Sequence, residues 1–284
     1  MHTAMIISPH ADDAAAFCGG TIARFADEGW RIILVRVTDD AKDSVDLTRD
    51  ETIHRNTEEL HDAARILGVA EVVELGYETD CLADVSLVAL RERFVWLFRK
   101  YQPYAVFSFD PFGMYEGNMD QIRTAQAVEE AYWVACFHLH HPEHFDEGLE
   151  PFSVCERWYF ARQLPDTSYT VDITEYLGTK VQAMAAHRTM VANIIKQSVL
   201  QLKTWGRQLP MLEAAMAGDP EPLLAQVFTG QAEAAAAAAG MPEGRLAEAF
   251  RLARFGDMED LFQAMAEPLP GATAAPVRPG LDRA

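Results

Sequence analysis

The sequence predicts an α/β protein, a doubly wound and mostly parallel sheet with a helical C-terminal extension. Short apolar runs alternate with longer helix-like ones through the first half of the chain, glycines fall where helices should stop, and carboxylates gather where the first strand gives way to a helix. The first strand is residues 5–7, Met-Ile-Ile, ahead of a small, helix-prone stretch. A helix over 14–28 then stops at Gly29, before a strand at 32–37, Ile-Ile-Leu-Val-Arg-Val. The rhythm repeats with a helix at 50–67 stopped by Gly68, a strand at 71–75, a helix at 85–101 and a strand at 105–109. Parallel pairing through right-handed crossovers is the default for such an order.

The loop 110–118, with one Pro and two Gly, argues against regular structure at the carboxyl end of the fourth strand. A helix at 120–137, a His-rich stretch at 138–144 and a strand at 157–162 complete this half. Beyond about Asp172 the strand pattern is lost, and helix formers predict helices over 176–204, 209–217, 221–240 and 243–266. The proline-bearing end is expected to be mobile. The chain therefore divides into an α/β unit over 1–190, a helical extension over 191–266 and a flexible tail over 267–284.

The chain has 284 residues, and its 24 Lys and Arg against 43 Asp and Glu give a formal charge of -19. That balance repels phosphate backbones and anionic membrane surfaces, so nucleic acid and membrane are excluded as expected partners. A small-molecule substrate is the partner expected. No apolar run approaches the roughly 18 residues needed to span a bilayer, and no secretory leader pattern opens the sequence, which makes a cytoplasmic protein the expectation. Cys18, Cys81, Cys136 and Cys155 lack a CxxC spacing and suit reduced thiols better than a disulfide framework.

The most informative run is Ser8-Pro9-His10-Ala11-Asp12-Asp13, at the first strand-to-helix turn. In an open α/β sheet that turn lies at the carboxyl edge of the strands, where ligand chemistry is placed. His10 and Asp13, three apart, can both reach one divalent cation, and Asp12 between them can act on water. The other reading is a helix cap, with Asp12 or Asp13 at the N-cap and His10 an ordinary loop residue.

This run, followed by Gly19-Gly20-Thr21-Ile22-Ala23, resembles the N-terminal motif of the LmbE-like, or PIG-L, family of zinc-dependent deacetylases. Arg55-Asn56-Thr57-Glu58 with 63–69, Leu75-Gly76-Tyr77 with Asp80, and Asp172-Ile173-Thr174 with Ala186-His187-Arg188 resemble later segments of the family in the same order. The likeness spans roughly residues 4–190. It implies a Rossmann-like fold and a metal-dependent hydrolase that cleaves an N-acyl amide, most often N-acetyl, on an amino sugar or similar molecule. His10 and Asp13 would be metal ligands and Asp12 the general base. Zinc is the implied cation, with iron or another divalent metal as the alternative.

Asn118-Met119-Asp120-Gln121 stands where the family has a His-Pro-Asp-His-like segment. Gln121 replaces the imidazole that supplies the third ligand, Asn118 replaces a His that assists the oxyanion or leaving group, and Asp120 is retained as an orienting carboxylate. An amide oxygen is a harder, weaker zinc ligand than an imidazole nitrogen. By the same resemblance Arg55, Asp80 and His187 approach the substrate. A non-catalytic binding module, or cleavage of another C–N bond with a different metal, is the rival reading motivated by Gln121. His138, His140, His141 and His144 lie about 17 helical residues beyond Gln121, some ~25 Å along the helix, too far to replace it. The helices after about Lys196 lie outside the resemblance, and covering the cleft, pairing subunits into a homo-oligomer, or neither remain open.

Overall fold

The computed structural model describes residues 1–278. Strand β1 (Thr3–Ser8) lies between β2 (Arg31–Thr38) and β4 (Ala105–Phe109), with β3 (Glu71–Tyr77) beyond β2 and β5 (Glu156–Phe160) beyond β4, all parallel. The sheet has seven strands in the order β3-β2-β1-β4-β5-β7-β6, completed by β6 (Tyr169–Asp172) and β7 (Ala247–Ala253). Strand order reverses between β1 and β4, which opens a crevice at their carboxyl ends. The predicted doubly wound α/β architecture is the one observed.

Helices cover both faces. Helices α1 (Asp13–Asp27) and α2 (Arg49–Ile66) flank one face, where the larger apolar core lies; α3 (Leu87–Tyr101) and α4 (Met119–Val134) pack on the other through the second core. The short α5 (Glu143–Asp146) precedes β5, and α6 (Leu177–Ala186), α7 (Arg188–Thr204), α8 (Pro210–Ala217) and α9 (Glu221–Ala238) follow β6 and join the first core. The last helix is α10 (Glu259–Met265). Gly20 permits a close approach: a Cβ there would lie 2.8 Å from Ile173, so the small residues of α1 let it seat against the turn after β6.

Two expectations fail in the C-terminal half. The helix predicted over 243–266 is broken: its first part is β7, which pairs antiparallel with both β5 and β6, and only the short α10 near its end is α-helical. Ala247-Glu248-Ala249-Phe250-Arg251-Leu252-Ala253 is rich in helix formers, but it fills the gap between two strands that each need a partner, and tertiary pairing overrides propensity. The helix predicted over 176–204 breaks at His187, whose ψ of 57° lies outside the helical range.

The tail is held at two points. His2 Nε2 lies 2.7 Å from the Ala274 carbonyl oxygen, and the Arg278 guanidinium donates to buried Glu156 at 2.9 Å, beside the rings of Phe25, Trp30 and Trp158. The flexibility expected for 267–284 thus meets anchors within its described part, and 279–284 lie outside the described residues. Removing Arg278 leaves the Glu156 carboxylate buried without its guanidinium counter-charge, although the Trp158 indole N–H still donates to it at 3.0 Å. Arg278→Ala is expected to cost about 3–5 kcal/mol. A melting-temperature drop of at least about 5 °C by calorimetry is the expected reading, and an unchanged value counts against it.

Cys18, Cys81, Cys136 and Cys155 are all free. Among the described residues no helix is long and apolar enough to cross a membrane.

Candidate active site

The loop after β1 is folded by its own side chains. Ser8 Oγ donates to the His10 carbonyl at 2.6 Å and accepts from Ala14 N–H at 3.0 Å, while His10 N–H donates to Asp13 Oδ2 at 2.9 Å. Asp12 occupies the N-cap of α1 without a side-chain cap hydrogen bond. The cap reading of Asp12 therefore has no bond to support it, and its carboxylate faces the cavity.

Three elements converge on this loop. The His10 ring sets Nε2 at 3.3 Å from Asp120 Oδ2 and Nδ1 at 3.5 Å from Asp13 Oδ2. Asp120, fully buried at the start of α4, also accepts backbone N–H bonds from Asp80 at 2.6 Å and Leu82 at 3.1 Å. One carboxylate thus ties the loop after β3 to the His10 ring. Gln121 Nε2 donates to Asp13 Oδ1 at 2.7 Å, whereas its Oε1 is buried without a protein partner. Asn118 caps α4, its Oδ1 accepting from Asp120 N–H at 2.8 Å.

A second carboxylate pair joins from the end of β2. Asp40 is buried and accepts from Thr38 Oγ1 at 2.9 Å and from Ala11 N–H and Arg36 at 3.2 Å each. Asp43 lines the cavity, with Oδ2 buried and unpartnered. Sequence reasoning missed both. The signal was present: Asp39-Asp40 follows β2 as Asp12-Asp13 follows β1, at the same carboxyl edge.

The electrostatics are those of a crowded acidic cavity. Burial works against a charged His10, but its hydrogen bond to the Asp120 carboxylate and the charges of Asp13, Asp40 and Asp43 prevail and raise it to about 10. Burial, then the neighbouring Asp13, pushes the Asp12 carboxyl up to about 7, and burial pushes Asp40 to about 7 and Asp43 to about 6. Asp13 is raised by burial too. Asp120 differs: burial raises it, but the His10 ring and the two backbone N–H groups outweigh that and hold it below the ordinary carboxylate range.

A divalent cation fits these residues. An imidazole nitrogen, a carboxylate and an orphaned amide oxygen adjoin one another, and carboxyls held partly neutral by burial would be relieved by positive charge. The pH dependence of stability follows in sign. His10 rises from 6.5 to about 10, so without metal its contribution is full below 6.5 and is lost as pH climbs toward 10. Asp12 and Asp40 rise from 3.8 to about 7, so their ionisation progressively costs stability across that window. Chelator-treated protein is expected to melt lower at about pH 9 than at about pH 6, with added divalent cation narrowing or reversing the difference. Equal pH trends with and without cation in a melting experiment would contradict this.

The other sequence-predicted contacts are placed elsewhere. Arg55 is exposed on α2 and borders a separate groove against α7 and α8, outside the His10 cavity, while the nearby Glu58 pairs with His54 at 3.5 Å. Helical phase decides this, because the neighbouring Asn56 turns inward and donates to the Asp40 carbonyl at 3.1 Å. Asp80 is exposed with a left-handed φ of 61°; its backbone N–H bonds Asp120, and its charge acts on Asp43. His187 is sealed in the α6–α7 junction, where burial and then Arg36 lower it to about 4. The His-rich stretch is a separate cluster: His141, Glu143 and His144 bring ligand-type atoms within 4.8 Å of one another, with His144 held by Arg99 and Glu92.

Residues 5–132, which run from β1 into α4 and so include every element of the centre, match the PIG-L family, described as GlcNAc-PI de-N-acetylase. Over these residues, a little under half of its length, the chain is similar to the PIG-L (LmbE-like) family. It is 29% identical over 190 residues to diacetylchitobiose deacetylase of Thermococcus kodakarensis, covering 65% of this chain and 68% of that one. It is 31% identical over 157 residues to 1D-myo-inositol 2-acetamido-2-deoxy-alpha-D-glucopyranoside deacetylase of Mycobacteroides abscessus, over 45% of this chain and 56% of the relative. The structure of N,N'-diacetylchitobiose deacetylase from Pyrococcus horikoshii is similar at a TM-score of 0.71 and 25% identity, covering 94% of this chain and 87% of that one. The structural likeness to this deacetylase thus extends well beyond the family match over residues 5–132.

Proposed function

We propose that this chain is a metal-dependent amide hydrolase that removes an N-acyl group, N-acetyl in the first instance, from an amino sugar or sugar-like small molecule. The observation that carries the reading is the grip of Asp120 on His10 Nε2, which leaves Nδ1 turned toward Asp13 beside the Gln121 amide. A carboxylate on the far nitrogen of a histidine is the usual support of a metal-binding imidazole. His10, Asp13 and Gln121 would hold the cation, zinc or else iron or another divalent metal that tolerates an oxygen-rich set. When bound, the cation would polarise the acyl carbonyl and acidify water.

The remaining work falls to the chain's own residues. Asp12, at the cavity wall with its carboxyl pushed up to about 7, accepts a proton from the attacking water and returns it to the departing nitrogen. Water oxygen bonds to the acyl carbon, the C–N bond breaks, and a carboxylate and an amine leave. Asn118 spends Oδ1 on its helix cap, so Nδ2 is the donor it can offer a substrate oxygen.

Metal analysis of protein purified without added metal, then titration with zinc and with iron while acetate release from N-acetylglucosamine conjugates is measured, tests the proposal. One cation per chain with metal-dependent release is expected. A cavity still empty at millimolar metal would sink it. That outcome would favour a binding module, a reading motivated by Gln121, an amide, standing where the resemblance places an imidazole ligand. The Gln121→His variant separates specialisation from decay: acetamide cleavage gained while a native activity is lost indicates a repurposed site.

A further inference from the structure

The cavity that contains His10 and Asp13 encloses about 1090 Å³, at the upper end of what small-molecule sites occupy. Its acidic end accounts for only part of that space. The rest runs along the inner faces of α7 and α9, past Met190, Ile194, Leu223, Leu224, Val227 and Phe228. Ile194 and Val227 remain 44% and 43% exposed at its wall, apolar surface that the fold itself does not cover.

The polar chemistry of this arm limits what can lie in it. The cations that line the cavity are already engaged: Lys180 pairs with Glu248 at 2.6 Å, and Arg162, close enough to the acidic end for its charge to act on Asp12, pairs with Glu116 at 3.1 Å. Glu248 also accepts from the Gly20 and Thr21 backbone N–H groups, so this buried ion pair is a satisfied structural unit. A phosphate or carboxylate tail would find no unpaired cation among the described lining residues. A further sugar ring needs hydrogen bonds on most of its edges; the neutral polar side chains here are Gln163, Thr167, Asn193, Gln197, Ser198 and Gln231, and the facing walls of α7 and α9 between them are chiefly hydrocarbon.

We propose that this arm receives a saturated hydrocarbon chain of the substrate, so that the amino-sugar amide cleaved here carries a long acyl or alkyl substituent. The inference rests on the amide-hydrolase reading above, and it commits to an uncharged chain continuous with the reacting sugar. The chain enters either as the acyl group itself or as an aglycone.

Two substrate series tell these sources apart, all used below their micelle-forming concentrations with the full-length, metal-loaded protein. One lengthens the N-acyl group from acetyl to decanoyl on a methyl glycoside; the other keeps N-acetyl and lengthens the glycoside from methyl to octyl. In one series kcat/KM is expected to rise at least about tenfold for every three methylenes buried. The series that rises names the source. In an Ile194→Asp/Val227→Asp double variant shown to be folded by its circular dichroism and melting, the dependence on chain length is expected to flatten.

Flat dependence in both series, with the short N-acetyl glycoside still cleaved, overturns the inference and leaves the hydrolase reading intact. Absence of any turnover counts against the hydrolase reading instead, and binding then decides the arm. Octyl glucoside should bind the wild-type chain at least about tenfold more tightly than methyl glucoside by calorimetry, an advantage lost in the double variant. Equal affinities would overturn the inference.

Discussion

Replacing Asp12 with Asn is expected to lower turnover of an N-acetyl amino sugar by about 10²–10⁴-fold while metal content stays near one ion per chain. The substitution keeps the shape and removes the basic oxygen. Asp12 makes no cap bond in α1 and sits 8% exposed against the cavity, so its fold duties are slight and its exposure is to the substrate side. Burial and the adjacent Asp13 hold its carboxyl near the pH at which a general base works best. Steady-state acetate release and elemental analysis on the same preparation make the measurement. Turnover within a few-fold of wild type would move the proton to another group, and lost metal would make Asp12 a ligand.

Asp120→Ala should have the opposite signature, with losses in both metal affinity and stability. The wild-type carboxylate is fully buried and serves His10, Asp80 N–H and Leu82 N–H together. Removing it strands the buried Leu82 N–H, at about 1–3 kcal/mol, deprives the part-buried Asp80 N–H of its acceptor, and releases the imidazole that it orients. Metal affinity is expected to fall by about 10–100-fold. Competition with a chelator of known affinity gives the first number and thermal melting the second. An unchanged metal affinity would remove Asp120 from its supporting role, even if the protein melted earlier.

These two carboxylates illustrate how legible the centre was. Asp12 was readable from six consecutive residues, because the spacing of His10, Asp12 and Asp13 at a strand-to-helix turn is local information. Asp120 was placed by family resemblance, yet its triple grip depends on Asp80 and Leu82, forty residues upstream on another strand's loop. Gln121 looked from the sequence like a weakened ligand; the fold adds that its amide nitrogen bonds Asp13 and its oxygen is left buried and unpartnered. Asp40 and Asp43 obey the same edge rule as Asp12 and Asp13, but without an accompanying His they carried no distinct motif.

The sequence by itself determined the alternation of the first five strands and their helices, the glycine stops, and the turn that presents His10, Asp12 and Asp13. Periodicity and turn chemistry act over a few residues and can be read along the chain. Only the tertiary structure decided that 247–253 is a strand, that Arg55 faces a different groove while Asn56 turns inward, that His187 is sealed in a helix junction, and that α7 and α9 extend the acidic cavity with an apolar wall. Each depends on surfaces distant in sequence meeting and burying one another. Helix propensity in Glu248 or Leu252 is worth tenths of a kcal/mol, which two waiting strand edges readily exceed.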